Sequence, residues 1–239
     1  MTQRLAVSLL VLTWALPLSG EERGFKKPYF GATKPGTFAR QKATDETGAV
    51  SQYTYSRLAD VAGEPVVESS YEALTGQFKG SRSVTGCLLP ASFSVENDVI
   101  DFQSHARRCL GGTDGAHSTE YPAAAMKAIS EGASNYAPMV TFKGTETVDG
   151  KPADRYAYQY KSSYKNIPAT SSGDIWLSDA VPFGLVKEVL TLKDASGKTL
   201  SRIETVLVES GDGAKTVFPG WSWSGPAKKK AAPAARKRH

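Results

Sequence analysis

Between residues 140 and 210 apolar and polar side chains alternate with the period of two that a half-buried β-strand requires, and turn residues interrupt the alternation. Five successive strands are predicted, at 140–148, 153–162, 173–178, 184–193 and 199–209. Asp149-Gly150 marks the tight turn between the first two. On the second strand Tyr156, Tyr158 and Tyr160 share one face, while Arg155, Ala157 and Gln159 share the other. Ile175 and Leu177 point away from Trp176, and the last two strands carry apolar residues on both faces. A sheet that is apolar on both sides needs cover on both, or cover on one and a ligand-lined hollow on the other. The connection Asp179-Ala180-Val181-Pro182-Phe183-Gly184, flanked by Trp176 and Lys187, is short and holds one large aromatic.

The N-terminal half repeats the β pattern. Residues 37–43 and 50–58 flank the turn Asp45-Glu46-Thr47-Gly48, and a second turn at Ala62-Gly63-Glu64-Pro65 leads into 66–74. A fourth segment, 77–89, is more broken by glycine and carries Cys87. Asp194-Ala195-Ser196-Gly197 echoes the first of these turns. Between the halves the period changes. Val99, Phe102, Ala106 and Cys109 recur at three- and four-residue steps, with Ser94 or Asn97 as the cap and Gly111-Gly112 as the stop. Pro122 followed by an alanine-rich run and Gly132 predicts a second helix. The fold class is therefore α+β and mostly β, a curved antiparallel sheet (a half-open barrel) with a central insertion of about two helices near 94–133.

Charge and hydropathy divide the chain into three parts. Arg4, an apolar run from Leu5 to Leu18, then Ser19-Gly20 and Glu21-Glu22, read as a secretory signal peptide over 1–20. The run is short for a membrane span, Pro17 breaks it, and no cysteine stands near the junction to carry a lipoprotein anchor. The net charge of +5 belongs to the far end. Lys228, Lys229, Lys230, Arg236, Lys237 and Arg238 lie in an Ala/Pro-rich tail over 227–239, and the body before it is slightly acidic. Such a tail buries little apolar area and is expected to be disordered, free to touch an anionic envelope surface; nucleic acid ranks last as a partner for an exported chain. One exported β-rich domain is expected over 21–226, with no transmembrane span after cleavage.

Export bears on Cys87 and Cys109, an even pair in an oxidising compartment, for which a disulfide is favoured. Two alternatives stand beside it: a metal set completed by His105 and His117, whose spacing matches no standard zinc signature, and two free buried thiols. For catalysis the chain offers little. Histidine is limited to His105, His117 and His239, and there is no Gly-x-Ser-x-Gly elbow, His-Glu-x-x-His or phosphate-binding glycine loop. Asp174, Asp179 and Glu188 are the one candidate carboxylate group. No enzyme activity, cofactor or metal is expected.

The order of signal peptide, strands, central helical insertion and further strands is similar to that of the bacterial outer-membrane lipoprotein carrier (LolA/LolB-like) superfamily. Gly173-Asp174-Ile175-Trp176-Leu177-Ser178 followed by Val181-Pro182-Phe183-Gly184-Leu185-Val186-Lys187 resembles exported proteins of that type, in which a Trp-bearing strand and a Pro-Gly turn precede another strand. The resemblance, mainly over 140–210, implies an unclosed barrel with helices across its concave opening and an apolar cavity for acyl chains.

The reading that follows is an exported, non-enzymatic protein binding a lipid or other apolar ligand between sheet and helices, as a lipoprotein or lipid carrier would. Tyr156, Tyr158, Tyr160, Trp176 and Phe183 are the candidate lining residues. Its place would be the periplasm or outer envelope of a Gram-negative bacterium. The alternative is a structural or assembly protein of the envelope with a packed core and no ligand.

Overall fold

The computed structural model describes residues 25, 29, 32–92, 103, 105–133, 139–164 and 167–223. The predicted signal peptide and basic tail lie outside these residues. Two antiparallel meanders make one sheet. The first comprises β1 (Thr37–Asp45), β2 (Val50–Arg57), β3 (Val66–Ala73), β4 (Arg82–Leu88), β5 (Arg108–Gly112) and β6 (Ser118–Glu120). After helix α1 (Ala123–Ala133) come β7 (Met139–Val148), β8 (Lys151–Tyr164), β9 (Ile167–Leu177), β10 (Leu185–Asp194) and β11 (Thr199–Asp212). The spatial order is β6-β5-β4-β3-β2-β1-β11-β10-β9-β8-β7, so the first and last strands meet in the middle and the sheet stays open at β6 and β7. Among the described residues no helix is long and apolar enough to cross a membrane.

The local causes are those the residue pattern suggests. Asp149 and Gly150 both take positive φ, the geometry that lets a two-residue turn follow the strand twist. The two echoing turns have one design. Asp45 Oδ1 accepts from the Thr47 and Ala49 N–H groups and the Thr47 hydroxyl. Asp194 Oδ1 accepts from the Ser196 and Lys198 N–H groups and the Ser196 hydroxyl. Because β1 pairs with β11, these turns close the same end of the sheet.

Curvature is strongest near β9. The backbones of β8 and β10 flank it and approach within 8 Å, against about 9.6 Å for strands two apart in a flat sheet. Gly173 permits this: a Cβ there would collide with the Val189 carbonyl of β10. The sheet thus folds toward the face on which residue 173 lies, and that face is concave.

Among the described residues the expected two-helix insertion is corrected to one helix. The predicted second helix is α1. Of the predicted first, residues 93–102 and 104 lie outside the described residues, and its last turn is β5. Cys109 pairs with Cys87 directly across β4 and β5, and Cys109 and Leu110 are both buried on opposite faces. That two-sided burial is a strand's pattern. Gly111 and Gly112, expected to stop a helix, extend the strand and leave room for the Tyr121 ring and the 117–118 backbone.

Both faces of the first meander are covered. On the concave side Ala39, Val67, Leu89, Phe183 and the two cysteines form a core, against which Tyr121 and, from α1, Met126 pack. On the convex side Val66, Val84, Leu88 and Leu110 are covered by Phe218 and Trp223 from the segment after β11.

Candidate functional site

Residues directly opposite each other on antiparallel strands point to the same face, so the register traces the concave lining from strand to strand. Tyr71 of β3 faces Tyr53 of β2, and Tyr53 faces Gln41 of β1. Gln41 faces Leu207 of β11. Two residues along β11, Thr205 faces Glu188 of β10, and Glu188 faces Ile175 of β9. Ile175 faces Tyr156 of β8, next to which Tyr158 and Tyr160 continue the same face.

Glu188 lies at the centre of this lining and is 5% exposed. Its Oε1 accepts a hydrogen bond of 2.7 Å from the Tyr158 hydroxyl. Among the described residues that is the one side-chain hydrogen bond of Glu188, and Oε2 has no donor there. Burial pushes the carboxyl up to about 7, and the Tyr158 bond opposes the rise without cancelling it. The charge is felt across the face: Glu188 helps hold the Tyr53 and Tyr158 hydroxyls well above the usual range and Tyr55 at about 12, in each case behind burial as the larger cause. Tyr53 and Tyr55 are crowded by neighbouring atoms, yet each retains accessible surface, as side chains lining a concavity do. Neither hydroxyl has a hydrogen-bond partner among the described residues.

The five residues selected from sequence divide into four groups. Tyr158 and Tyr160 stack at 6.1 Å between ring centroids beside Glu188. Tyr156 is packed away from the opening: it is fully buried, holds a hydroxyl–hydroxyl contact with Tyr29, and meets the rings of Phe25, Phe142 and Tyr29 edge-on. Tyr29 also donates to Asp154 at 2.6 Å. Phe183 plugs one end of the concave face, 5.7 Å from the Tyr55 ring and packed on the cysteine pair. Its φ of 62° is a left-handed conformation that costs a bulky residue about 1 kcal/mol or more. The strain is held by burial of the ring and by its N–H, which donates to the Thr33 hydroxyl at 2.6 Å.

Trp176 is on the other face. It pairs in register with Arg155 and Lys187, whose cationic groups lie 5.1 and 5.6 Å from its ring, and its indole N–H donates to Glu146. The strand period puts it opposite Ile175, so it cannot line a hollow with Tyr158. The candidate carboxylate group likewise comes apart: Asp174 pairs with Arg155 at 3.0 Å on the convex side, Asp179 is exposed in the β9–β10 connection, and Glu188 is inside.

Cys87 and Cys109 form a disulfide. Bonded to each other, they are withdrawn from the set with His105 and His117, and His117 instead lies 2.9 Å from Asp114 on an exposed turn. No group of three or more His, Cys, Asp or Glu gathers among the described residues.

A second buried carboxylate holds the convex side. Glu68, fully buried, accepts from the Val217 N–H at 2.7 Å and the Thr216 hydroxyl at 2.9 Å, and burial raises its pKa. Sequence reading passed over Glu68, Gln41, Tyr53 and Tyr55. The legible signal was an acid at an inward position, in the series Val186, Glu188, Leu190, Leu192.

No protein-family model and no curated protein matches the chain. Several solved structures bear a distant likeness. One, described as a lipoprotein of Parabacteroides distasonis, is 14% identical, covers 79% of this chain and 100% of its own, and has a TM-score of 0.37. An exported protein of Bacteroides fragilis described as having a YmcC-like fold is 12% identical, with coverages of 75% and 97% and a TM-score of 0.36. MucB in complex with MucA is 15% identical, with 80% of this chain matched to 53% of MucB and a TM-score of 0.37. At this level of superposition the chemistry of the concave face is read from this chain's own residues.

Proposed function

We propose that this is an exported, non-enzymatic envelope protein that binds an amphipathic or apolar ligand on the concave face of its open sheet. The observation that carries the reading is the lining of β2, β8 and β10. There, the Tyr53 and Tyr55 rings retain accessible surface while Tyr158 is buried against Glu188, and among the described residues the two β2 tyrosine hydroxyls and Glu188 Oε2 have no protein partner. A core built only for packing would bury such groups or pair them, whereas a binding site is a mostly apolar concavity with a few convergent polar atoms. The signal-type N-terminus and the resemblance to exported lipoprotein carriers support the compartment.

Native mass spectrometry of the purified protein after incubation with total lipid extract tests the proposal. Bound lipid that is displaced by added amphiphile is the expected result. A protein that emerges without any bound or exchangeable lipid would overturn the reading and leave a packed structural or assembly protein.

A further inference from the structure

We propose that the concave face receives the cationic end of its ligand, an ammonium group on an amphipathic chain, with Glu188 as its counter-charge and Tyr53, Tyr55 and Tyr158 as its walls. The inference rests on the reading of that face as a ligand site and adds the chemical class of what binds.

The distribution of charge is the first observation. Register places Arg40, Lys42, Arg155, Lys161, Lys187 and Arg202 on the convex face. Arg57, which shares the concave face by register, is already engaged at one end with Asp60 and the Leu58 carbonyl. Among the described strand residues, the middle of the concave face therefore presents a carboxylate and no cation. An ionised carboxylate this deeply buried is costly unless an opposite charge or more hydrogen bonds compensate it. Among the described residues Glu188 has one donor, Tyr158, and its Oε2 has none.

The walls are the second observation. A cation is attracted to the faces of aromatic rings, and tyrosines around a carboxylate form the kind of cage that takes ammonium groups. Tyr53, Tyr55 and Tyr158 all lie within electrostatic reach of Glu188. Tyr160 extends the ring stack from Tyr158 toward the β8–β9 end, which gives the attached chain an apolar surface to follow. An anionic head group would meet Glu188 with no compensating cation, so the same geometry discriminates against fatty acids and acidic lipids.

The test uses isothermal titration of the full chain with three probes of equal chain length below their micellar concentrations: dodecyltrimethylammonium, dodecyl maltoside and dodecyl sulfate. The cationic probe should bind roughly tenfold tighter than the neutral one, the size expected for one ion pair with aromatic support, and the sulfate should bind weakest. Glu188→Gln keeps an acceptor for Tyr158 and should make the cationic and neutral probes equal. Tyr53→Leu should weaken the cationic probe more than the neutral one, with both variants checked for folding by circular dichroism. Wild-type affinity for the cationic probe should also fall between pH 8 and pH 5 as Glu188 takes up a proton. Equal wild-type affinity for cationic and neutral probes overturns the ammonium site but leaves the concave-face reading standing. A cationic preference that persists in Glu188→Gln and is flat with pH removes Glu188 from it. Failure of all three probes to bind overturns both inferences.

Discussion

Replacing Glu188 with Gln should flatten much of the protein's stability profile between pH 5 and pH 8. The folded-state pKa is raised from near 4.5 to about 7. Across that interval the folded chain holds a proton at Glu188 that the unfolded chain has released, so stability falls as pH rises. The contribution is fully present below about pH 4.5 and is lost as pH passes through about 7. A rise of this size corresponds to about 3 kcal/mol between the two limits. The groups facing Glu188 do not titrate in this window: Tyr158 on β8 and Tyr53 and Tyr55 on β2 are all held at or above about 12, while Thr205, Ile175 and Gln41 do not ionise. Glu68 contributes with the same sign, and Asp45 and Glu204, whose pKa values are lowered, contribute the opposite sign under more acidic conditions. Comparing variant with wild type removes those common terms. Urea denaturation at pH 5 and pH 8 should show the wild type losing about 3 kcal/mol more than Glu188→Gln over the interval. Equal losses in the two proteins would refute the claim that Glu188 is buried without a compensating charge.

Three further outcomes probe the surrounding architecture. Replacing Cys87 and Cys109 together by Ala should cost about 3 kcal/mol, since the bond closes a loop of sequence separation 22; non-reducing peptide mapping should find the two cysteines linked, and free thiols would contradict the fold of β4 and β5. Gly86→Ala places a Cβ 2.6 Å from the Phe218 ring and 2.9 Å from that of Trp223, so it should cost about 1–3 kcal/mol and expose the segment after β11 to protease; unchanged resistance would show that this segment does not need the gap. Phe183→Ala should cost about 3–5 kcal/mol because a buried ring is lost and alanine gains no relief at a left-handed φ; thermal denaturation reads it, and a change near zero would deny the plug.

Most of the strand framework was legible because strand formation is local. Turns such as Asp149-Gly150 and Asp45–Gly48 name themselves, and residues 140–148 differ from β7 by one position. Where long-range pairing extends a strand, local pattern falls short. β9 begins at Ile167, well before the expected 173, because residues such as Pro168, Thr170 and Ser171 read as loop alone but pair with β8. The same effect turned the end of a predicted helix into β5: Ala106 and Cys109 have helical spacing, but the disulfide partner lies on the neighbouring strand. The period of two also suffices to put Trp176 and Tyr158 on opposite faces, so grouping them as one lining was an error that alternation and pairing together expose.

Alone, the sequence determined most of the strands, their turns and their alternation, because turn chemistry and side-chain period act over a few residues. Only the tertiary structure decided which residues make a site. Tyr53 and Glu188 are separated by most of the chain and come within electrostatic reach because β1 pairs with β11, joining the two meanders at their middle. The direction in which the sheet bends then decides the rest: folding at Gly173 puts tyrosines and a buried carboxylate on the inner face and leaves Arg40, Lys42, Arg155, Lys161, Lys187 and Arg202 on the outer one. A local pattern carries two faces without saying which becomes concave, and burial follows from that choice.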